Sequence, residues 1–377
     1  MGFMRDGNTA RALPYPEPEQ PHHTIRLQRT DWVIAALLTL SVGMACLFIA
    51  DMIPAFLLQS MDFWFESDTV REVSNMTSTT DDHSRTSVHP LFSILTFVPV
   101  YLVKHALAIP PLQAVLYVTS ILGGVWMGTL YLLLRLLGCR TLDACIFTAL
   151  GLSSASAIFW LPVPNSYTWG SWSIMISLAL LLLAEQHRVG ALSYVLASAF
   201  TLSITVTNWM AGLLTTLARW PFKQAVQLSI NAFCLVVLLW GAQKFIFPSA
   251  EFFIGSRKEA NWINHPQSGQ ASNIASSFAF HTFIAPAIRF IDDDGYIQVG
   301  DDSVRLAQRL AFQFSTPGSA GPLGLIAVCL WSALLLNGLW RLVTMDRQLR
   351  FRLVLATLLL FELSLHMVYG EETFTYS

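Results

Sequence analysis

Between positions 51 and 92 the chain gathers side chains that can bind anions and move protons. Seven acids (Asp51, Asp62, Glu66, Asp68, Glu72, Asp81 and Asp82) share this stretch with Arg71, His83, Arg85 and His89. The densest runs are "FWFESDTVREV" (63–73) and "HSRTSVHPLF" (83–92). A carboxylate in such a set can take the proton of a hydroxyl group. A guanidinium offers a planar fork that suits phosphate oxygens. Together they can accept a proton and hold an anion. His83 and His89 beside Asp81 and Asp82 keep divalent-metal ligation open as a second reading. Their spacing fits no specific metal template, so no metal ligand is assigned and no cofactor is firmly implied.

A helix over 61–73 would sort these groups by face. At 100° per residue, Phe63, Val70 and Val73 fall on one side, with Asp62 and Glu66 beside them. Trp64, Asp68, Arg71 and Glu72 fall roughly opposite. Asp68 and Glu66 then point nearly apart, whereas Asp68 and Arg71, three residues apart, are neighbours. Asp68 is the better-placed acid of the two and Glu66 the runner-up. A solvated amphipathic helix, with Arg71 paired to Asp68 or Glu72, is the plainer alternative, and that pairing is compatible with catalysis. The sequon Asn75-Met76-Thr77 follows on the same expected outer loop, and chance accounts for it.

The elements that must position these groups are apolar. Of 377 residues, 54% are hydrophobic and only 12% charged, about half the charge of a soluble domain. Several windows approach or exceed the ~20 residues needed to cross a bilayer. The expected fold is an all-α polytopic membrane protein with spans near 31–53, 111–135, 142–161, 167–184, 191–207, 224–247, 322–342 and 351–369. Residues 208–219 are too short for an easy crossing and read as a half-helix. Residues 91–108, with Pro99 and Lys104, read as a membrane-skimming hairpin.

Residues 1–30 read as a cytoplasmic tail, and 31–377 as one membrane domain with outer loops at 54–110 and 248–321. The run after Asp31 is too long for a cleaved signal and reads as an anchor. The inner segments then hold Arg5, Arg11, Arg26, Arg29, Arg135, Arg140, Arg188, Arg219, Lys223, Arg341, Arg347, Arg350 and Arg352, more than half of the 22 Lys and Arg. A net charge of −2 without a basic tail gives no footing for nucleic acid. The five cysteines fall in spans or at an inner rim and form no disulfide framework. The second outer loop adds Arg257 and Lys258 after "FPSAEFFIGS". His366, Tyr369 and Glu371 stand at the outer end of the last span, with Glu362 one turn deeper.

An inside N-terminus, one span, a long acidic outer loop and a His-Pro-Leu entering the next apolar stretch resemble the GT-C membrane glycosyltransferases. "ESDTVREV…HSRTSVHPLFSIL" resembles the first outer loop of bacterial-type members, and "LHMVYGEETFTYS" (365–377) a late outer segment. The resemblance implies a GT-C-like helix bundle whose first loop carries juxtamembrane helices. It implies transfer of a hexose or pentose, with inversion, from a polyprenyl-phosphate donor to an unidentified glycan, lipid or protein. Asp68 would be the base, with Arg71, Arg85, His83, His89, Arg257, Lys258, His366, Tyr369 and Glu371 lining the substrates. The expected place is a bacterial inner membrane with the site on the periplasmic side. The family's paired acids at the end of the first span are not clean here. Similar proteins continue beyond the point matching Ser377, so the chain reads as truncated. A transporter, which would need polar groups near the midplane, and a non-catalytic envelope assembly protein are the alternatives.

Overall fold

The computed structural model describes residues 27–58, 64, 67–255, 263, 283–284, 289–292, 296–299, 302–305, 308–311 and 321–369. It is nearly all helical. Among the described residues six helices are long and apolar enough to cross a membrane: α1 (Arg29–Met52), α5 (Pro111–Leu136), α8 (Ser166–Gln186), α11 (Phe222–Ile246), α12 (Gly321–Thr344) and α13 (Leu349–Val368). Between them run α2 (Ala55–Leu58), α3 (Thr69–Thr77), α4 (Phe92–Leu107), α6 (Thr141–Leu152), α7 (Ala155–Trp160), α9 (Ala191–Ile204) and α10 (Trp209–Arg219). The chain reads as an integral membrane protein: α1 turns Trp32, Leu37, Leu40, Met44 and Phe48 outward, while serines and threonines such as Ser173, Ser177, Thr201 and Thr215 are buried between helices.

Two expected spans are shorter than their hydropathy suggests. The run 142–161 breaks at Ser153–Ser154, where the Ser154 hydroxyl accepts the Ala157 N–H at 3.2 Å and starts α7 afresh. The run 191–207 stops being helical at Ile204. The 91–108 stretch is one helix, α4, packed on α3 and α5 rather than a hairpin. At 16 residues it is about 24 Å long, short of a bilayer core. The half-helix is present as α10, wedged against α8, α9, α11 and α13.

The tightest seam joins α1 to α5. Gly124 and Gly128, four apart, let the backbones meet: a Cβ on Gly124 would overlap the Thr39 carbonyl oxygen, and one on Gly128 the Thr39 hydroxyl. At one end of this seam the fully buried Asp31 accepts from Arg135 Nε at 2.7 Å and from the Tyr131 hydroxyl at 3.0 Å. Gly138, at φ +97°, then ends α5 in a conformation that glycine adopts readily.

The second loop adds four short strands to this helical fold. There β1 (Arg289–Asp292) pairs antiparallel with β4 (Gln308–Ala311), and β2 (Tyr296–Val299) with β3 (Asp302–Arg305), one ladder nested inside the other.

Candidate functional site

Helix α3 begins at Thr69, and Asp68 stands at its N-cap rather than within a helix over 61–73. Arg71 Nη2 donates to Asp68 Oδ2, the neighbouring pair that the spacing predicts. The pair is half-exposed, with the Asp68 side chain 41% accessible. The face assignment differs from the helical-wheel expectation. Thr69, Glu72, Asn75 and Met76 form the buried side, so Glu72 turns inward and is only 7% exposed. The sequon asparagine is buried with it. The polar part of this face meets a polar wall, while Met76 packs among Phe92, Val100 and Val115.

That wall comes from two distant segments. One is the turn holding Arg85 and His89. The other is the start of α8, which Asn165 caps: its Oδ1 accepts the Thr168 N–H at 2.8 Å, and its Nδ2 donates to the Trp160 carbonyl at 2.6 Å. This cap presents Ser166, whose hydroxyl favours the charged form of Glu72, and Tyr167, on which Glu72, Asp68, Arg85 and Arg71 all act electrostatically. Burial pushes the Glu72 carboxyl up to about 7 against the pull of Arg71, while Asp68 adds to the rise. Sequence reasoning treated Glu72 only as a partner for Arg71 and missed Ser166 and Tyr167. The "PNSY" before an apolar run is a helix-start signal that could have drawn attention to them.

The two histidines do different jobs. His89 packs its ring at the site: Nδ1 lies 2.8 Å from the Ile204 carbonyl, so Nδ1–H is the donor. Burial pushes this imidazole down to about 4 despite that bond, and Arg85 and Arg71 push the same way. It is a neutral ring whose Nε2 lone pair remains an acceptor. His83 is fully buried away from this chemistry. Its Nε2 donates to the Ser78 carbonyl at 3.1 Å, and its Nδ1 meets the Ser93 hydroxyl at 2.8 Å. Both ring nitrogens are occupied, and Phe247 packs on the ring with centroids 4.5 Å apart. Its place is structural, within a clasp between the two long loops.

In that clasp the His83 N–H donates to Ser249 Oγ at 3.0 Å, and the Glu251 N–H to Thr86 Oγ1 at 2.7 Å. Thr86 Oγ1 also lies 2.8 Å from the carbonyl oxygens of both His83 and Glu251.

Of the remaining expected residues, Glu66, Arg257, Lys258 and Glu371 lie outside the described residues. His366 is on α13, and Tyr369 follows it, bridged to Ile263 of the second loop. Thus Asp68, Arg71, Arg85 and His89 come together with Glu72, Ser166 and Tyr167, while His83 is drawn into the clasp. Among the described residues no group of three or more His, Cys, Asp or Glu is placed to hold a metal ion.

The chain matches no protein-family model, no curated protein and no solved structure.

Proposed function

We propose that the chain is an integral membrane glycosyltransferase acting at this cluster, moving a sugar from a polyprenyl-phosphate donor to an acceptor hydroxyl on the outer side of the membrane. The observation that carries the reading is the half-exposed Asp68–Arg71 pair beside Glu72, on which Arg85 also acts, in a chain whose helices are apolar. A lipid-linked donor needs such a place. Its chain stays in hydrocarbon while its phosphate reaches fixed cations.

In this reading the acceptor oxygen attacks the anomeric carbon and gives its proton to Asp68. The bond from that carbon to the phosphate oxygen breaks, and the electron pair leaves on the phosphate. Polyprenyl phosphate is a stable anion at neutral pH, so no general acid is required. Arg71 and Arg85 hold the charge as it develops. A single displacement of this kind inverts the anomeric centre. The Lys and Arg bias of the sequence puts the N-terminus in the cytoplasm and the cluster on the outer face, periplasmic in a bacterial inner membrane.

The test is transfer of labelled sugar from polyprenyl-phosphate donors in membranes containing the wild type or Asp68→Asn. Loss of a general base costs about 10²–10⁴ in rate. Because Asp68 is half-exposed, expression should be unchanged. Wild-type membranes that transfer no sugar from any donor tried, or an Asp68→Asn variant that keeps most activity, would overturn the reading.

A further inference from the structure

Five buried polar atoms on the segment 67–75 have no hydrogen-bond partner among the described residues: Ser67 Oγ, Thr69 Oγ1, Arg71 Nε, Glu72 Oε2 and Asn75 Oδ1. Ser67, Thr69, Glu72 and Asn75 are each more than nine-tenths buried. Orphaned buried polar atoms are uncommon in folded proteins, each costing about 1–3 kcal/mol. Five on one short segment, beside two arginines, mark a place that binds something polar.

Charge decides what that is. Arg71 and Arg85 are the cations that act on Glu72. Asp68, paired with Arg71, acts on it from the same helix, and Glu72 Oε2 is itself among the unpartnered atoms. An anion would meet both arginines, but it would also meet Glu72. An ionised Glu72 would repel it at close range in a poorly solvated site, whereas a neutral carboxyl could donate its O–H to an anionic oxygen.

We infer that Glu72 is a proton-linked gate on a phosphodiester site: as a neutral acid it joins Arg71 and Arg85 in holding the phosphoryl oxygens, and on ionising it expels them. The inference rests on the donor class proposed above. The groups acting on Glu72 are Arg71 and Asp68 on its own helix, Arg85 in the turn, and Ser166 at the start of α8, with Tyr167 beside it. His89, held near 4, stays neutral through the physiological range and leaves the gating to Glu72. The free carboxyl sits at about 7, so the gate works across neutral pH. Bound anion stabilises its protonated form further, so binding draws in a proton.

The sign is fixed. Affinity is highest below about pH 6 and falls as Glu72 ionises, by about thirtyfold between pH 6 and pH 8.5 if the bound form stays protonated. A short-chain polyprenyl phosphodiester sugar is the probe, because its single charge does not change over that range. Its binding to the purified full chain should follow this fall, and calorimetry at pH 8 in buffers of different ionisation enthalpy should show uptake of about one proton. Glu72→Gln, isosteric and permanently neutral, should bind at pH 8.5 as tightly as the wild type does at pH 6, with no proton taken up.

Wild-type binding that is flat with pH and without proton uptake overturns the gate while leaving the donor reading intact, and that measurement needs no variant. Loss of binding in Glu72→Gln at every pH would mean that the ionised carboxylate is required, which also overturns it. Absence of phosphodiester binding by the wild type at any pH removes the donor reading and the gate with it.

Discussion

The side chain of Gln243 grips the turn that runs from Pro90 to Ile94. Its Nε2 donates to the Pro90 carbonyl at 2.8 Å, and its Oε1 accepts the Ile94 N–H at 3.1 Å. The first satisfies a carbonyl in an irregular turn. The second satisfies one of the orphan donors in the first turn of α4. Gln243 is fully buried near the end of α11. The turn is further pinned by Leu91 N–H to the Ser203 carbonyl at 2.8 Å and by Val206 N–H to the Val88 carbonyl at 3.0 Å. His89 owes its position to these bonds.

Gln243→Leu should therefore act at a distance from the chemistry. Leaving a buried donor and acceptor unpaired costs about 1–3 kcal/mol each. The expected outcome is a lower melting temperature in detergent together with weaker sugar transfer, because His89 and Arg85 lose their anchor. An unchanged melting temperature would show that the grip adds nothing.

The pH dependence of stability should carry the mark of His89. Its folded value, about 4, lies below its ordinary 6.5, so the unfolded chain binds the extra proton first. Its stabilising contribution is full above pH 6.5 and is lost as the pH falls towards 4. His83 is pulled down by burial and acts in the same direction. Asn places a donor near the position of Nδ1 but cannot be protonated. His89→Asn should thus flatten part of the acid-side loss in a melting-temperature series from pH 7 to pH 4; an unaltered slope would contradict the assignment.

The α1–α5 seam gives a packing prediction. Gly124→Ala would force a Cβ onto the Thr39 backbone, and overpacking of this kind costs about 1–3 kcal/mol or more. Gly241 on α11 meets nothing within 4 Å, so Gly241→Ala should be neutral or slightly stabilising. Thermal melts of the two variants should separate clearly.

Thr80 is exposed on the loop joining α3 to the His83 turn. On a cysteine-free background, Thr80→Cys should react with a membrane-impermeant maleimide in intact cells or spheroplasts. Labelling only after membrane disruption would place the cluster on the opposite side.

What the sequence revealed and what it hid follow from the range of the forces involved. The Asp68–Arg71 pair was legible because residues three apart meet on any local helical turn. The long spans were legible because solvation of apolar residues does not depend on tertiary detail. Glu72 was misjudged because a helical wheel assumes that the apolar side faces inward. Its true environment is set by Arg85, Ser166 and Tyr167, 13 to 95 residues further along the chain. His83 was grouped with His89 because both lie near Asp81, Asp82 and Arg85 in the sequence, yet Ser93, Ser78 and Ser249 claim it. The break at Ser153–Ser154 was hidden inside a hydrophobic run, since hydropathy averages away the local hydroxyl bonds that end a helix.

The clasp of His83 and Thr86 to Ser249 and Glu251 also has a history in time. A chain grows from its N-terminus at about 5–20 residues per second. Residue 251 therefore emerges roughly ten to thirty seconds after residue 83. Throughout that interval Ser249 and Glu251 do not yet exist, and neither at first does Gln243 nor the carbonyl of Ile204 that holds His89. The charged loop must wait beside the membrane, already made but unfinished, until nearly the whole bundle through α11 has been inserted. The cluster is thereby completed only once α11 and the residues just after it are in place, and a variant that delays insertion of α8 to α11 prolongs the exposure of an incomplete loop.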